Sequence, residues 1–365
     1  MTHRETFMPD TAVEPVTKKT VVNPPASSDY IRKTRRQRVL TALSFRNISA
    51  VYIFAVLFVI FSIWVPSTFL TPGVWRSLLA SQSLVAIVAV AVVVPLSAGL
   101  FDLAVGAEVG IAGILVAWLL SKAGVLIALA IPLAVLAGAV IGSISGLLIV
   151  RARIDSFIAT LGMSSVLLAL TDWISSNEQI LGLSNRFKNL STNTLLGLAL
   201  PFWFMLVIGI AVWYVLERTP LGRRVYATGG NINAARLSGV NTSIVVVGAL
   251  AACGALAAVA GVLQTAATAT GDPTVGPGFL LPAYAAAFLG STQFRGGRYN
   301  IWGTILAVYV LATGVVGLQL AGAPVWIPSL FNGLALLIAV ALASGEKART
   351  RTKAIRRVIR RRRST

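Results

Sequence analysis

Apolar residues occur in long runs from about residue 48 to residue 343. A run of about 20 apolar residues is long enough for one helix to cross the hydrocarbon core of a bilayer. The pattern therefore predicts an all-α polytopic membrane protein with about ten transmembrane helices. The predicted spans are residues 48–66, 78–98, 103–120, 124–150, 156–175, 198–216, 242–265, 279–292, 300–320 and 325–343.

Two of these spans are irregular. Residues 279–292 are few for a bilayer crossing, and Pro95 interrupts residues 78–98. Broken backbone inside a membrane is tolerated where it packs in protein or lines a cavity, so both are predicted to be broken or re-entrant. Ten spans divide into two halves of five, which is compatible with an inverted repeat.

Composition excludes a soluble globular protein. Of the 365 residues, 56% are hydrophobic and 12% are charged. A soluble domain carries about 25% charged residues, roughly twice this share. The chain is therefore expected to lie in the membrane along most of its length.

The net charge of +19 comes mainly from the two ends of the chain. Of 31 Lys and Arg residues, 9 lie in residues 1–46 and 10 in residues 346–365. No folded basic face lies between the two ends, so nucleic acid is not a predicted partner. Anionic membrane lipid is a predicted partner of the basic ends. The predicted organisation is a disordered basic cytoplasmic tail (1–46), a transmembrane domain (47–344) and a second basic cytoplasmic tail (345–365).

The remaining positive charges predict the orientation of the spans. With ten spans and a cytoplasmic N-terminus, the inner loops contain eight basic residues and the outer loops four. Cytoplasmic loops carry the excess of Lys and Arg, so both termini are expected inside. The inner set is Arg151, Arg153, Arg218, Arg223, Arg224, Arg236, Arg295 and Arg298, and the outer set is Arg76, Lys122, Arg186 and Lys188.

Few residues offer catalytic or metal chemistry. Cys253 is the only cysteine, and the only histidine, His3, lies in the N-terminal tail. These counts exclude an intrachain disulfide, a cysteine-cluster zinc site and an HExxH metal site. No catalytic residue and no metal site are predicted, and a membrane-embedded enzyme is disfavoured.

Glycines recur at four-residue spacing in two spans. Gly138, Gly142 and Gly146 share one helix face, as do Gly106 and Gly110. Small residues allow helix backbones to approach closely in a membrane. The favoured interpretation is packing within the chain, and a dimer face is the alternative.

Two acids lie in an otherwise apolar segment. Asp102 follows a break containing Gly99 and precedes a new span, where it can cap the helix, and Glu108 lies about two turns further on. Intramembrane acids usually face a cavity or a partner, so both are also candidates for a substrate pathway.

The longest internal loop, residues 217–241, predicts a short cytoplasmic helix. Asn231 or Asn233 is a plausible N-cap, residues 234–237 form a turn or two, and Gly239 ends the helix. Such a helix is suited to a groove on another protein, although composition alone favours an ordinary loop helix.

Four segments along the chain carry motifs that occur together in one protein family. In chain order they are DLAVG at 102–106, FIATLGM at 157–163, the loop with GRRVYATGGN at 222–231 and AARLSGVN at 234–241, and GVLQTA at 261–266 followed by GGR at 296–298 and IWGT at 301–304. These segments resemble those of ribose-type sugar ABC importer permeases, the binding-protein-dependent permease family for branched-chain amino acids and monosaccharides.

The resemblance implies one subunit of an importer for a monosaccharide or related polyol in the bacterial inner membrane. Implied partners are a cytoplasmic ABC ATPase, an extracytoplasmic sugar-binding protein and a second permease copy. The ATPase-coupling loop would comprise Gly229, Gly230, Asn231, Ala234, Ala235, Arg236, Leu237 and Gly239. Asp102, Glu108 and Gln264 are the candidate pathway residues.

The chain is not expected to hydrolyse ATP. It lacks the phosphate-binding sequence GxxxxGK[ST], so no cofactor is expected on this chain, and ATP and Mg²⁺ are expected on the partner ATPase. Asn233 stands where the family usually has glutamate, and Leu281-Pro282-Ala283 replaces Leu-Asp-Ala. These departures predict a subfamily with its own substrate, and Pro282 predicts a helix break.

An ion-coupled secondary transporter is the alternative. In that case Asp102 or Glu108 would bind a proton or sodium ion, and the chain would transport without an ATPase. The resemblance and the docking-type loop favour the ABC importer.

Overall fold

The described part of the protein is mainly helical. A computed structural model describes residues 49–293 and 298–341, with side chains from Tyr52 onward and none given for Gln293. The helices are α1 Ser49–Trp64, α2 Pro66–Phe69, α3 Pro72–Ser97, α4 Val105–Ser121, α5 Ile127–Ala152, α6 Ser156–Ser175, α7 Asn185–Thr192, α8 Leu200–Arg218, α9 Pro220–Gly230, α10 Ile232–Leu237, α11 Thr242–Thr268, α12 Leu280–Gln293, α13 Ile301–Leu320 and α14 Ile327–Ala341. Strands β1 Thr194–Leu195 and β2 Leu198–Ala199 form one antiparallel hairpin before α8.

A helix lies in each of the ten predicted spans. Among the described residues, six helices are long and apolar enough to cross a membrane, namely α3, α5, α6, α8, α11 and α13. The apolar helices of α1, α4 and α14 are shorter than these six, and α12 is also short, with 14 residues. The all-α membrane fold is confirmed, whereas the count of ten crossings and the five-plus-five repeat stay predictions.

The helix interruptions expected at Pro95 and Pro282 are not found at those positions. α3 continues through Pro95 and ends two residues later, so Pro95 occupies its last turn and the predicted interruption is wrong. Pro282 lies in the first turn of α12, where a backbone N–H has no partner within the helix, and it causes no break. Irregular backbone instead separates α3 from α4 at residues 98–104 and α11 from α12 at residues 269–279, which includes a 3₁₀ turn, Gly276–Phe279.

Two long helices form the centre of the core. α11 packs against α3, α4 and α5, and α3 also contacts α8, α12 and α13. Residues 86–93 of α3 are completely buried. With apolar side chains on every face, α3 belongs in the protein interior, whereas α5, α6 and α8 expose apolar side chains on the outside of the fold.

The glycine repeat of α5 packs within the chain, as predicted. A Cβ on Gly142 would overlap the carbonyl oxygen of Leu250, and one on Gly146 would lie 2.7 Å from the Cα of Val247. Gly138 approaches Gly254 in the same way. The absence of side chains therefore allows α5 and α11 to pack backbone against backbone.

Gly142→Ala is expected to destabilise the protein by about 1–3 kcal/mol, because the added methyl group has no space between α5 and α11. The thermal unfolding temperature of the purified chain in detergent measures this loss. Gly248→Ala is the matched control, since nothing lies within 4 Å of a Cβ at that position of α11. Equal unfolding temperatures for the two variants would contradict the packing argument.

Both predicted basic tails lie outside the described residues. The structure therefore leaves the predictions for residues 1–46 and 345–365, and for Arg295, as they were.

Candidate functional site

Two short helices follow α8 and form the predicted coupling loop. Thr219 is extended, and its hydroxyl accepts a hydrogen bond from the Gly222 N–H at 3.5 Å, so that α9 begins at Pro220. A Cβ on Gly222 would overlap the Leu216 backbone. A glycine at this position thus permits the sharp turn that directs α9 away from α8.

The caps of α10 confirm the local prediction. Asn231 Oδ1 accepts hydrogen bonds from the N–H groups of Asn233 and Ala234, both at 3.0 Å. After Leu237 the chain leaves the helix through Gly239, which has φ +82°. This conformation favours glycine, which explains why the helix ends there.

α10 has one anchored and one projecting side. Ala235 is 5% exposed and contacts the rest of the fold, whereas Leu237 is 90% exposed. Arg236 Nη2 donates to the Thr242 hydroxyl at 3.4 Å, linking α10 to the first residue of α11. The helix therefore presents an apolar side chain to solvent while its opposite side stays attached to the body of the protein.

The end of α9 touches the connection between α3 and α4 through main-chain atoms. A Cβ on Gly229 would overlap the Ser97 carbonyl oxygen, and one on Gly99 would lie 3.2 Å from the Gly229 Cα. Gly99 has φ +80°, so glycine is favoured there on two grounds. Nothing lies within 4 Å of a Cβ on neighbouring Gly230.

A second contact joins α9 to the start of α13. The Tyr226 hydroxyl donates to the Tyr299 carbonyl oxygen at 3.1 Å, and the Arg298 guanidinium lies 4.3 Å from the centre of the Tyr226 ring. Burial and, after it, the charge of Glu217 raise the pKa of Tyr226, so the phenol keeps the proton that it donates. Both contacts border a cavity of about 490 Å³ between α9, the α3–α4 connection and Tyr299.

Asp102 and Glu108 are fully buried beside that connection. Asp102 is not the N-cap residue of α4, which is Ala104, but its Oδ1 accepts from the Ala104 N–H at 3.1 Å. The Asp102 N–H donates to the Tyr284 hydroxyl at 2.8 Å. The capping interpretation thus accounts for one carboxylate oxygen of Asp102 and for neither oxygen of Glu108.

The structure does not bring the third predicted pathway residue to this place. The Cys253 Sγ of α11 lies within 4.8 Å of a carboxylate oxygen of both Asp102 and Glu108. Gln264 is partly buried in the same helix, eleven residues beyond Cys253, which corresponds to about 16 Å along a helix. The three residues therefore do not form one constellation, and a pathway through all of them stays a prediction.

Sequence reasoning missed several residues of the site. Ser97, Gly99, Tyr226, Tyr284 and Arg298 were not among the predicted functional residues, yet they make the contacts of α9 and Asp102. The pairing of Gly99 with Gly229 joins positions 130 residues apart, and no local signal indicates it.

Comparison with known proteins places these features in context. A family model described as "Branched-chain amino acid transport system / permease component" matches residues 75–340. The ribose import permease protein of Escherichia coli (strain K12) is 33% identical over 269 residues, covering 72% of this chain and 83% of the relative. No solved structure gives a significant match.

Two further relatives cover more of the chain. The ribose import permease protein of Bacillus subtilis (strain 168) is 36% identical, covering 79% of this chain and 89% of the relative. The D-allose transport system permease protein of Escherichia coli (strain K12) is 30% identical, covering 82% and 92% respectively. Both alignments extend over most of both proteins.

Proposed function

Because the chain belongs to the branched-chain amino acid transport system / permease component family, we propose that it is the membrane subunit of an ABC importer for a monosaccharide or related polyol. The relatives are sugar import permeases, and the apolar helices identify an integral membrane protein. The proposed partners are a cytoplasmic ATPase and an extracytoplasmic sugar-binding protein.

The observation that carries this proposal is the arrangement of α9 and α10. α10 presents Leu237 to solvent, and α9 meets the α3–α4 connection without an intervening side chain. A helix with an exposed apolar residue is a suitable ligand for a groove on an ATPase. The contact at Gly229 provides a route by which displacement of the loop reaches the membrane helices.

The proposed mechanism is alternating access. ATP-driven closure of the ATPase dimer moves α10 and α9 together, because Asn231 is both the C-cap of α9 and the N-cap of α10. The α3–α4 connection and α11 then rearrange around the pathway, and hydrolysis reverses the change. ATP and Mg²⁺ bind to the ATPase, while this chain contributes no hydrolytic residue.

Two permease copies and a defined orientation complete the proposal. A homodimer surrounds the pathway, and both termini face the cytoplasm of a bacterial cell, as the distribution of basic residues predicts. Asp102, Glu108 and Gln264 remain candidate pathway residues within this scheme.

Sugar uptake tests the proposed function. Membrane vesicles from the source cells, with and without the gene for this chain, are loaded with ATP and given radiolabelled D-ribose, L-arabinose or D-allose together with the binding protein. Uptake of at least one sugar is expected to require this chain, ATP and the binding protein.

The control separates the ABC importer from an ion-coupled transporter. A protonophore together with a sodium ionophore, which collapse the proton and sodium gradients, should leave ATP-loaded vesicles active. Uptake by this chain without ATP, lost when the gradient is collapsed, would overturn the proposal in favour of ion coupling at Asp102 or Glu108.

A further inference from the structure

Three ionisable side chains from three elements meet inside the core. Asp102 belongs to the α3–α4 connection, Glu108 to α4 and Cys253 to α11, and all three are fully buried. One oxygen of each carboxylate and the Cys253 Sγ lie within 4.8 Å of one another. Apolar residues of the main core, including Val105, Val109 and Ala257, belong to the same packed cluster as Cys253.

Most of the oxygen atoms in this cluster have no hydrogen-bond partner. Asp102 Oδ1 is held by the Ala104 N–H, but Asp102 Oδ2 and both oxygens of Glu108 are unpartnered among the described residues. Buried carboxylates are ordinarily hydrogen-bonded, paired with a cation, bound to a metal or neutralised by a proton. Three unpartnered oxygens at one place therefore call for a positive ligand, either a proton or a metal cation, and the test below distinguishes the two.

The donor set and its spacing fit a divalent cation of the zinc type. Zinc binds carboxylate oxygen at about 2.0–2.2 Å and thiolate sulfur at about 2.3 Å, in tetrahedral geometry. Ligand atoms around one such ion are then roughly 3.3–3.8 Å apart. The three atoms of this cluster lie within 4.8 Å of one another, which is compatible with that spacing. The hydrogen bond from the Ala104 N–H occupies Asp102 Oδ1 and leaves Oδ2 without a partner, and hydrogen bonds of this kind orient ligand side chains at metal centres.

We propose that Asp102 Oδ2, a Glu108 carboxylate oxygen and the Cys253 thiolate bind one zinc-type divalent cation, with the fourth position open to water. The ion joins the α3–α4 connection to α11. Its ligand in the connection, Asp102, follows Gly99 by three residues, and Gly99 is where α9 makes its main-chain contact. The ion thereby ties the irregular backbone of that connection to α11, so that the two move as one unit. This site departs from the prediction that the chain binds no metal. Its binding test requires neither a sugar nor an ATPase, so the result does not depend on the proposed function.

The single cysteine makes a direct test possible. Full-length chain, purified in detergent after treatment with a chelator, is titrated with Cd²⁺, which gives an ultraviolet absorption band when bound by a thiolate. The wild-type chain is expected to show one such band that saturates at one Cd²⁺ per chain. Zn²⁺ added afterwards should compete for the same site and reduce the band.

Two variants and one control distinguish this site from adventitious binding. Cys253→Ala is expected to abolish the band, and Glu108→Gln, which keeps the shape of the side chain, should weaken Cd²⁺ binding at least about tenfold. Glu178→Gln, in an exposed acid, should leave it unchanged. Circular dichroism and gel filtration verify that each variant is folded.

Two results would overturn the proposed metal site. If the folded wild-type chain gives no band while its thiol is shown to be reduced after unfolding, the cluster binds protons only and the proposal is wrong. An unaltered Cd²⁺ affinity in Glu108→Gln would also overturn it, because the thiol alone would then account for the binding.

Discussion

Leu237→Asp is expected to abolish the association of the chain with the proposed partner ATPase. Leu237 is 90% exposed at the end of α10, so the substitution leaves the fold intact and places a charge where an apolar groove would receive a leucine. Loss of a central interface residue costs about 2 kcal/mol or more, which corresponds to at least about 30-fold weaker binding. Copurification of the ATPase from detergent-solubilised membranes measures the loss.

Leu237→Met is the matched control, because it keeps the volume and apolar character of the side chain. It should retain the ATPase at the wild-type level. A Leu237→Asp chain that still copurifies with the ATPase in full yield would show that α10 is not the docking helix. Ala235→Glu gives a less direct answer, since Ala235 is buried against the fold and its substitution also disturbs α10 itself.

Gly229→Ala is expected to impair transport while leaving the ATPase bound. The new Cβ would overlap the Ser97 carbonyl oxygen and approach the Gly99 nitrogen to 2.9 Å, which forces α9 away from the α3–α4 connection. Overpacking of this kind costs about 1–3 kcal/mol. If that cost falls on the transport step, the rate decreases by about 5- to 150-fold.

Gly230→Ala provides the control for this substitution. Nothing lies within 4 Å of a Cβ there, and both glycines belong to the last turn of α9. The measurement is ATP-driven sugar uptake in vesicles, with copurified ATPase determined in parallel. The proposed transmission route would be wrong if both variants transported at the wild-type rate, or if Gly229→Ala lost the ATPase as well.

The local structure of the coupling loop could be predicted from the sequence. The helix that follows Asn231 and ends before Gly239 is capped by hydrogen bonds between near neighbours. Such caps depend on the local residue types, which the sequence shows directly. The helical spans could be predicted for a similar reason, since a bilayer core sets their length and apolar character. The resemblance to sugar importer permeases is likewise confirmed, by the family match together with the ribose and allose permease relatives.

Long-range contacts could not be predicted. Cys253 was interpreted as an isolated cysteine because sequence alone does not show that α11 brings it against Asp102 and Glu108. Pro95 was interpreted as an interruption because its missing N–H opposes a helix interior, but tertiary packing keeps α3 continuous to its last turn. In both cases the outcome depends on which helices become neighbours.

The main-chain contact at Gly229 separates two properties that a coupling loop must combine. In the proposed mechanism, recognition depends on side chains of α10, among them the exposed Leu237, whereas transmission depends on the close main-chain contact of Gly229 with Ser97 and Gly99. A change in the docking side chains can therefore redirect the permease to a different ATPase without altering how the movement enters the membrane. Partner choice can diverge in such a protein while its mechanical coupling stays the same.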